Sequence, residues 1–175
     1  MLKHAWPCLF LAFNALVIAY DLRFRRVPNL LLAAALLLQT TWLLAAAPNV
    51  AAPMAASGWT QAGLGFAVGL ALFYPLWRFG AMGAGDVKYI AVLGACVGTA
   101  GLFSALLPGS LLAGMHALAV TATGGLAGAR ANWRAGAGKR RGIPYAAYLA
   151  LSAMASAAWL IVCPSSWLFS LIHMT

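Results

Sequence analysis

Residues 29–47 read NLLLAAALLLQTTWLLAAA, a stretch with no charged side chain. As a helix it would be about 28 Å long, close to the roughly 30 Å of hydrocarbon in a bilayer. Five more runs of this kind flank it. They cover approximately Ala5 to Tyr20, Thr60 to Trp77, Tyr89 to Leu107, Ser110 to Ala129 and Pro144 to Val162. Backbone groups in lipid need internal partners, so the runs should be helices. The expectation is an all-α integral membrane protein of about six transmembrane helices, forming a single domain over residues 1–175 with no convincing repeat. Residues 48–57 read as a loop, Gly80 to Lys88 as a glycine-rich link, Pro108-Gly109 as a turn and residues 130–142 as a basic link. The apolar tail to Thr175 would extend the last helix or lie in the interface.

Composition agrees with lipid as the solvent. Hydrophobic residues make up 64% of the chain and charged residues 7%, against about 25% charged in a typical soluble domain. A soluble fold would leave most of these helices apolar all round with nothing to cover them. The net charge of +9 could suggest nucleic acid, but the charges fall in short clusters between apolar runs, as topology signals do. Membrane lipid, and not nucleic acid, is the expected partner.

Ten of the eleven basic residues follow the first, third and fifth runs: Arg23, Arg25, Arg26, Arg78, Lys88, Arg130, Arg134, Lys139, Arg140 and Arg141. Lys3 stands alone on the other side. The positive-inside bias puts those three links in the cytoplasm and both termini across the membrane. Lys139, Arg140 and Arg141 would fix topology or meet anionic lipid. The first run resembles a signal peptide, but it passes straight into Asp21 and three arginines with no small-x-small site, so it reads as a retained span. The seven tryptophans fall mostly near run ends, where interfacial anchoring is the default.

Cys8, Cys96 and Cys163 show no CxxC spacing, and His4, His116 and His173 are scattered. Neither set reads as a metal site, and no cofactor is expected. The chain has only two acids, Asp21 and Asp86. Each falls at the cytoplasmic end of a span, within or beside a basic link. The bland alternative is local charge balance, Asp21 with Arg23 or Arg25 and Asp86 with Lys88. Against it, these are the sole acids, at one depth on one side, and Asp86 follows two glycines in Gly83-Ala84-Gly85-Asp86. Carboxyl groups so near hydrocarbon call for a reason.

Two opposed carboxyl groups suit peptide hydrolysis. An ionised one takes a proton from water, which attacks the carbonyl; a protonated one polarises that carbonyl. Gly83 and Gly85 would let an extended substrate backbone come close to the acid.

Tyr20-Asp21-Leu22-Arg23-Phe24-Arg25-Arg26-Val27-Pro28-Asn29 resembles the first catalytic motif of type IV prepilin peptidases. Gly83-Ala84-Gly85-Asp86-Val87-Lys88 resembles their second, and Ile143-Pro144-Tyr145-Ala146 the start of their last helix. The resemblance spans nearly the whole chain. It implies an aspartic endopeptidase of the bacterial inner membrane, with Asp21 and Asp86 catalytic, that removes the short basic leader of prepilins or pilin-like subunits at the cytoplasmic face. Both termini would then be periplasmic. Lys88 and Arg23 would tune an acid, bind substrate or simply add inside charge; Pro28 and Asn29 would shape the start of the second span, and Pro144 that of the sixth. Only twenty residues precede Asp21 and no paired cysteines occur, so no separate methyltransferase domain is expected. The chain looks like the short, stand-alone enzymes of tight-adherence (Flp-type) pilus systems. Two other readings stay open: another GxGD intramembrane aspartic protease of the presenilin or signal-peptide-peptidase kind, and a non-enzymatic membrane assembly factor or small transporter.

Overall fold

In the computed structural model, which describes residues 2–24, 26–45, 58–134 and 145–162, every regular element is an α-helix. The helices are α1 (Leu2–Phe24), α2 (Asn29–Ala45), α3 (Trp59–Arg78), α4 (Ala84–Arg134) and α5 (Tyr145–Val162). Two stretches, Trp6–Phe24 and Ala84–Val120, are long and apolar enough to cross a membrane. The loop expected at 48–57, residues 135–142 of the expected basic link and the tail after 162 lie outside the described residues, while residues 130–134 of that link belong to α4.

The aspartates belong to helices and not to links. α1 runs past Tyr20 to Phe24, and α4 begins at Ala84, so Asp21 sits in a last turn and Asp86 in a first turn. Both acids extend helices that the sequence ended early, because a charge was read there as a boundary.

α4 is not one straight rod. Twenty-four residues of straight helix would set Asp86 and Ser110 about 36 Å apart. Yet Tyr145 Oη lies 2.8 Å from Ser110 Oγ, while the N–H of the next residue, Ala146, donates to the Asp86 carboxylate. The reversal falls at Gly98, whose φ of 72° lies in the left-handed region. Side-chain-bearing residues rarely adopt that conformation. A hypothetical Cβ on Gly101 would meet Val97 Cβ at 2.7 Å, and one on Gly94 would meet Leu102 Cδ2 at 3.1 Å. Residues 84–97 therefore form an outgoing arm and residues 99–134 a returning arm, and the described residues hold six helical segments.

The turn expected at Pro108-Gly109 is thus displaced to Gly98. Pro108 lies inside the returning arm. Gly109 serves packing: a Cβ there would lie 2.7 Å from Leu149 Cδ2 and 3.1 Å from Leu149 Cα. It lets α5 approach the arm closely, and Ser152 Oγ donates to Ala105 O (2.8 Å) along the same contact.

α3 packs most extensively on α4. Gly65 and Gly69 form a small-xxx-small stripe, the usual device for close packing in lipid. A Cβ on Gly65 would collide with the Gly94 carbonyl, and one on Gly69 would lie 2.9 Å from Ile90 O. α1 packs chiefly on α5, and α2 on α4. The core collects Phe10, Phe13, Val17, Tyr89, Leu93, Leu102 and Leu149 from α1, both arms of α4, and α5. Trp6 joins this core instead of anchoring at an interface. It is buried, stacks on Phe10 at 5.0 Å and donates to Gln39 Oε1 at 2.9 Å.

Candidate active site

Phe10, Asn14, Val17 and Asp21 follow each other at helical spacing, so α1 turns all four to the interior. All are buried, and Asp21 is only 5% exposed. Its Oδ2 accepts the N–H of Ala147 at 2.9 Å.

Asp86 is the third residue of α4. Its carboxylate accepts the N–H of Gly83, just before the helix. That is the return half of a capping box, which satisfies one of the N–H groups a helix start leaves over. A Cβ on Gly83 would lie 3.1 Å from Asp86 Oδ2, so glycine keeps that side of the acid open. The carboxylate also accepts the N–H of Ala146 and lies close enough to Asp21 for the two acids to interact.

Consecutive amides in the first turn of α5 thus hold the two acids, Ala146 on Asp86 and Ala147 on Asp21. First-turn N–H groups have no partner within their own helix and carry the positive end of its dipole. They are a fitting anchor for negative groups.

Asp21, Arg26, Val27, Asn29, Gly83, Ala84, Gly85, Asp86 and Lys88 line a pocket of about 310 Å³. Lys88 Nζ donates to Asn29 Oδ1 at 3.2 Å, which ties α2 to α4 at the rim. A Cβ on Gly85 would stand 3.7 Å from Val27 N, so this glycine faces the α1–α2 link. Pro28 O accepts from the N–H groups of Leu31 and Leu32, so Pro28 directs the chain into α2. The structure therefore brings together Asp21, Asp86, Gly83, Gly85, Lys88 and Asn29, with Pro28 next to them. Arg23 is exposed, its guanidinium 5.7 Å from the Phe24 ring centre, and does not line the pocket. Pro144 lies outside the described residues.

Sequence reasoning missed Arg26 and the two α5 amides. Backbone donors leave no residue-type signature, although the Pro144-Tyr145 helix start marked where they would be. Among the described residues, no three His, Cys, Asp or Glu side chains gather as metal ligands.

The described helices thus bring two interacting carboxyl groups into one pocket. The type IV leader peptidase family model matches residues 8–118. The chain belongs to the type IV leader peptidase family. Membership makes it a membrane-associated peptidase with pilin-like prepilins as its broad substrate class. Neither the curated proteins nor the solved structures gave a match.

Proposed function

We propose that this chain is an aspartic endopeptidase of the bacterial inner membrane that cuts the short basic leader from prepilins or pilin-like subunits at the cytoplasmic face, in the manner of the short Flp-type enzymes. Asp21 and Asp86 are its catalytic pair. The observation that carries this reading is the seating of both carboxylates on consecutive α5 amides in a single pocket. All six helical segments cross the membrane, both termini are periplasmic, and the Asp21–Asp86 pocket opens toward the basic, cytoplasmic side.

In the mechanism, water lies between the acids. The ionised carboxylate takes a proton from it as its oxygen attacks the scissile carbonyl. The other carboxyl gives a proton to the carbonyl oxygen, and the pair returns protons as the C–N bond breaks. The amides of Ala146 and Ala147 hold the acids at fixed separation, so little reorganisation accompanies the proton transfers. Gly83 and Gly85 leave room for an extended substrate backbone.

The test is co-expression with a Flp-type prepilin in membranes, followed by mass determination of the mature product. The expected product starts at the residue after the basic leader. A cut inside the apolar helix, or at its periplasmic end, would overturn the assignment of the reaction to the cytoplasmic face.

A further inference from the structure

Below the acids, Tyr89 Oη donates to Asn14 Oδ1 at 2.6 Å. Both side chains are fully buried. Asn14 Nδ2 donates to Phe10 O at 2.8 Å, so the amide is held in one orientation. Tyr89 also packs its ring on Phe13, with centroids 6.1 Å apart.

The position of this contact is informative. Tyr89 lies three residues after Asp86, about one turn, and Asn14 seven before Asp21, about two turns. Each partner therefore shares a face with one acid. α1 packs mainly on α5, and α4 on α3 and α5, while α1 and α4 make little direct backbone approach. The helices carrying the acids are thus linked by α5 at the level of the carboxylates and by a long side chain beneath them.

We infer that the Tyr89–Asn14 hydrogen bond is a strut that fixes the separation of Asp21 and Asp86, making Tyr89 and Asn14 positioning residues for hydrolysis. This rests on the peptidase reading for its effect on rate, though not for its effect on geometry. A buried apolar pair could fill the same space. A directed 2.6 Å bond adds a defined distance between two helices whose backbones approach little and whose other contacts are apolar side-chain packing, such as Phe13 on Tyr89. Misplacing reacting groups by about 1 Å can cost about a hundredfold in rate, so the strut bears on kcat and leaves the substrate-lining residues untouched.

The experiment uses the full chain in membranes with Tyr89→Phe, Asn14→Leu and the double variant. Either single change strands a buried polar partner and lowers stability; the double change removes both polar groups and should largely restore it. The strut predicts that kcat stays at least about tenfold down in the double variant with KM unchanged. Recovery of kcat together with stability would reduce the pair to a structural contact and overturn the proposal. A second readout stands apart from cleavage. In a variant with all three cysteines replaced, spin labels at Leu22→Cys, in the last turn of α1, and Ala84→Cys, the first residue of α4, report the gap between the two helix ends. A broader or shifted distance distribution on adding Tyr89→Phe supports the strut even if no prepilin is cut, in which case the peptidase reading alone fails. An unchanged distribution overturns it.

Discussion

Asp21 and Asp86 accept hydrogen bonds from neighbouring residues of one helix turn, Ala147 and Ala146 respectively. The arrangement makes α5 the organiser of the pair. Acids from the last turn of α1 and the first turn of α4 meet because a third element offers them first-turn amides.

Removing one of those donors should therefore disable the site without unfolding the protein. Ala147→Pro deletes the N–H that Asp21 receives. Proline is tolerated in a first helical turn, where that N–H has no intrahelical partner. A hydrogen bond to a charged group contributes about 1.5–3 kcal/mol, so the expected loss in cleavage rate is about tenfold to a hundredfold. Loss of the same buried hydrogen bond should lower the melting temperature in detergent by a few degrees without unfolding the protein, and rate and melting measured on one preparation check both points.

The Gly65–Gly94 crossing should tolerate no side chain. A Cβ on either glycine would run into the backbone of the other helix, and backbone cannot swing aside. Gly65→Ala should destabilise the bundle by about 1–3 kcal/mol or more, the scale for overpacking. Gly63→Ala is the control, since nothing lies within 4 Å of a Cβ there. Thermal unfolding of the two variants side by side checks the contrast.

The reversal in α4 separates two substitutions that sequence alone would rank the other way. Gly98→Ala places a side chain at φ 72°, at a cost of about 1–2 kcal/mol. Pro108→Ala lies inside a helical arm, where proline is itself unfavourable. It should leave stability unchanged or raise it. Denaturation midpoints for both variants would show the order.

A shared proton gives a characteristic pH dependence. If one acid must be ionised and the other protonated, kcat rises and then falls with pH, and the two limbs belong to the pair. A rate profile at saturating substrate, with chemistry limiting, should be bell-shaped in the wild type. A profile flat from acid to neutral pH would count against a two-carboxyl mechanism.

Much of this was legible in the sequence. Uncharged runs located α2, α3 and α5 to within a few residues, because an apolar helix is marked by the charges it lacks. The motif residues Asp21, Asp86, Gly83, Gly85, Asn29 and Lys88 do gather. The α4 turn was misplaced because Pro-Gly usually punctuates a chain, whereas here Gly109 makes room for α5 and Gly98 supplies the left-handed residue. Arg23 matched a motif but faces away, since a helix turn points it elsewhere than Asp21. The amides of Ala146 and Ala147 and the Tyr89–Asn14 bond depend on tertiary approach, which no local pattern encodes.

The most direct test of the central claim is prepilin cleavage in membranes by wild type, Asp21→Asn and Asp86→Asn at matched protein levels. Asparagine keeps the size of each side chain but can neither take up nor supply the required proton. The account predicts processing by the wild type and none by either variant. Processing that survives either substitution would contradict the two-aspartate mechanism.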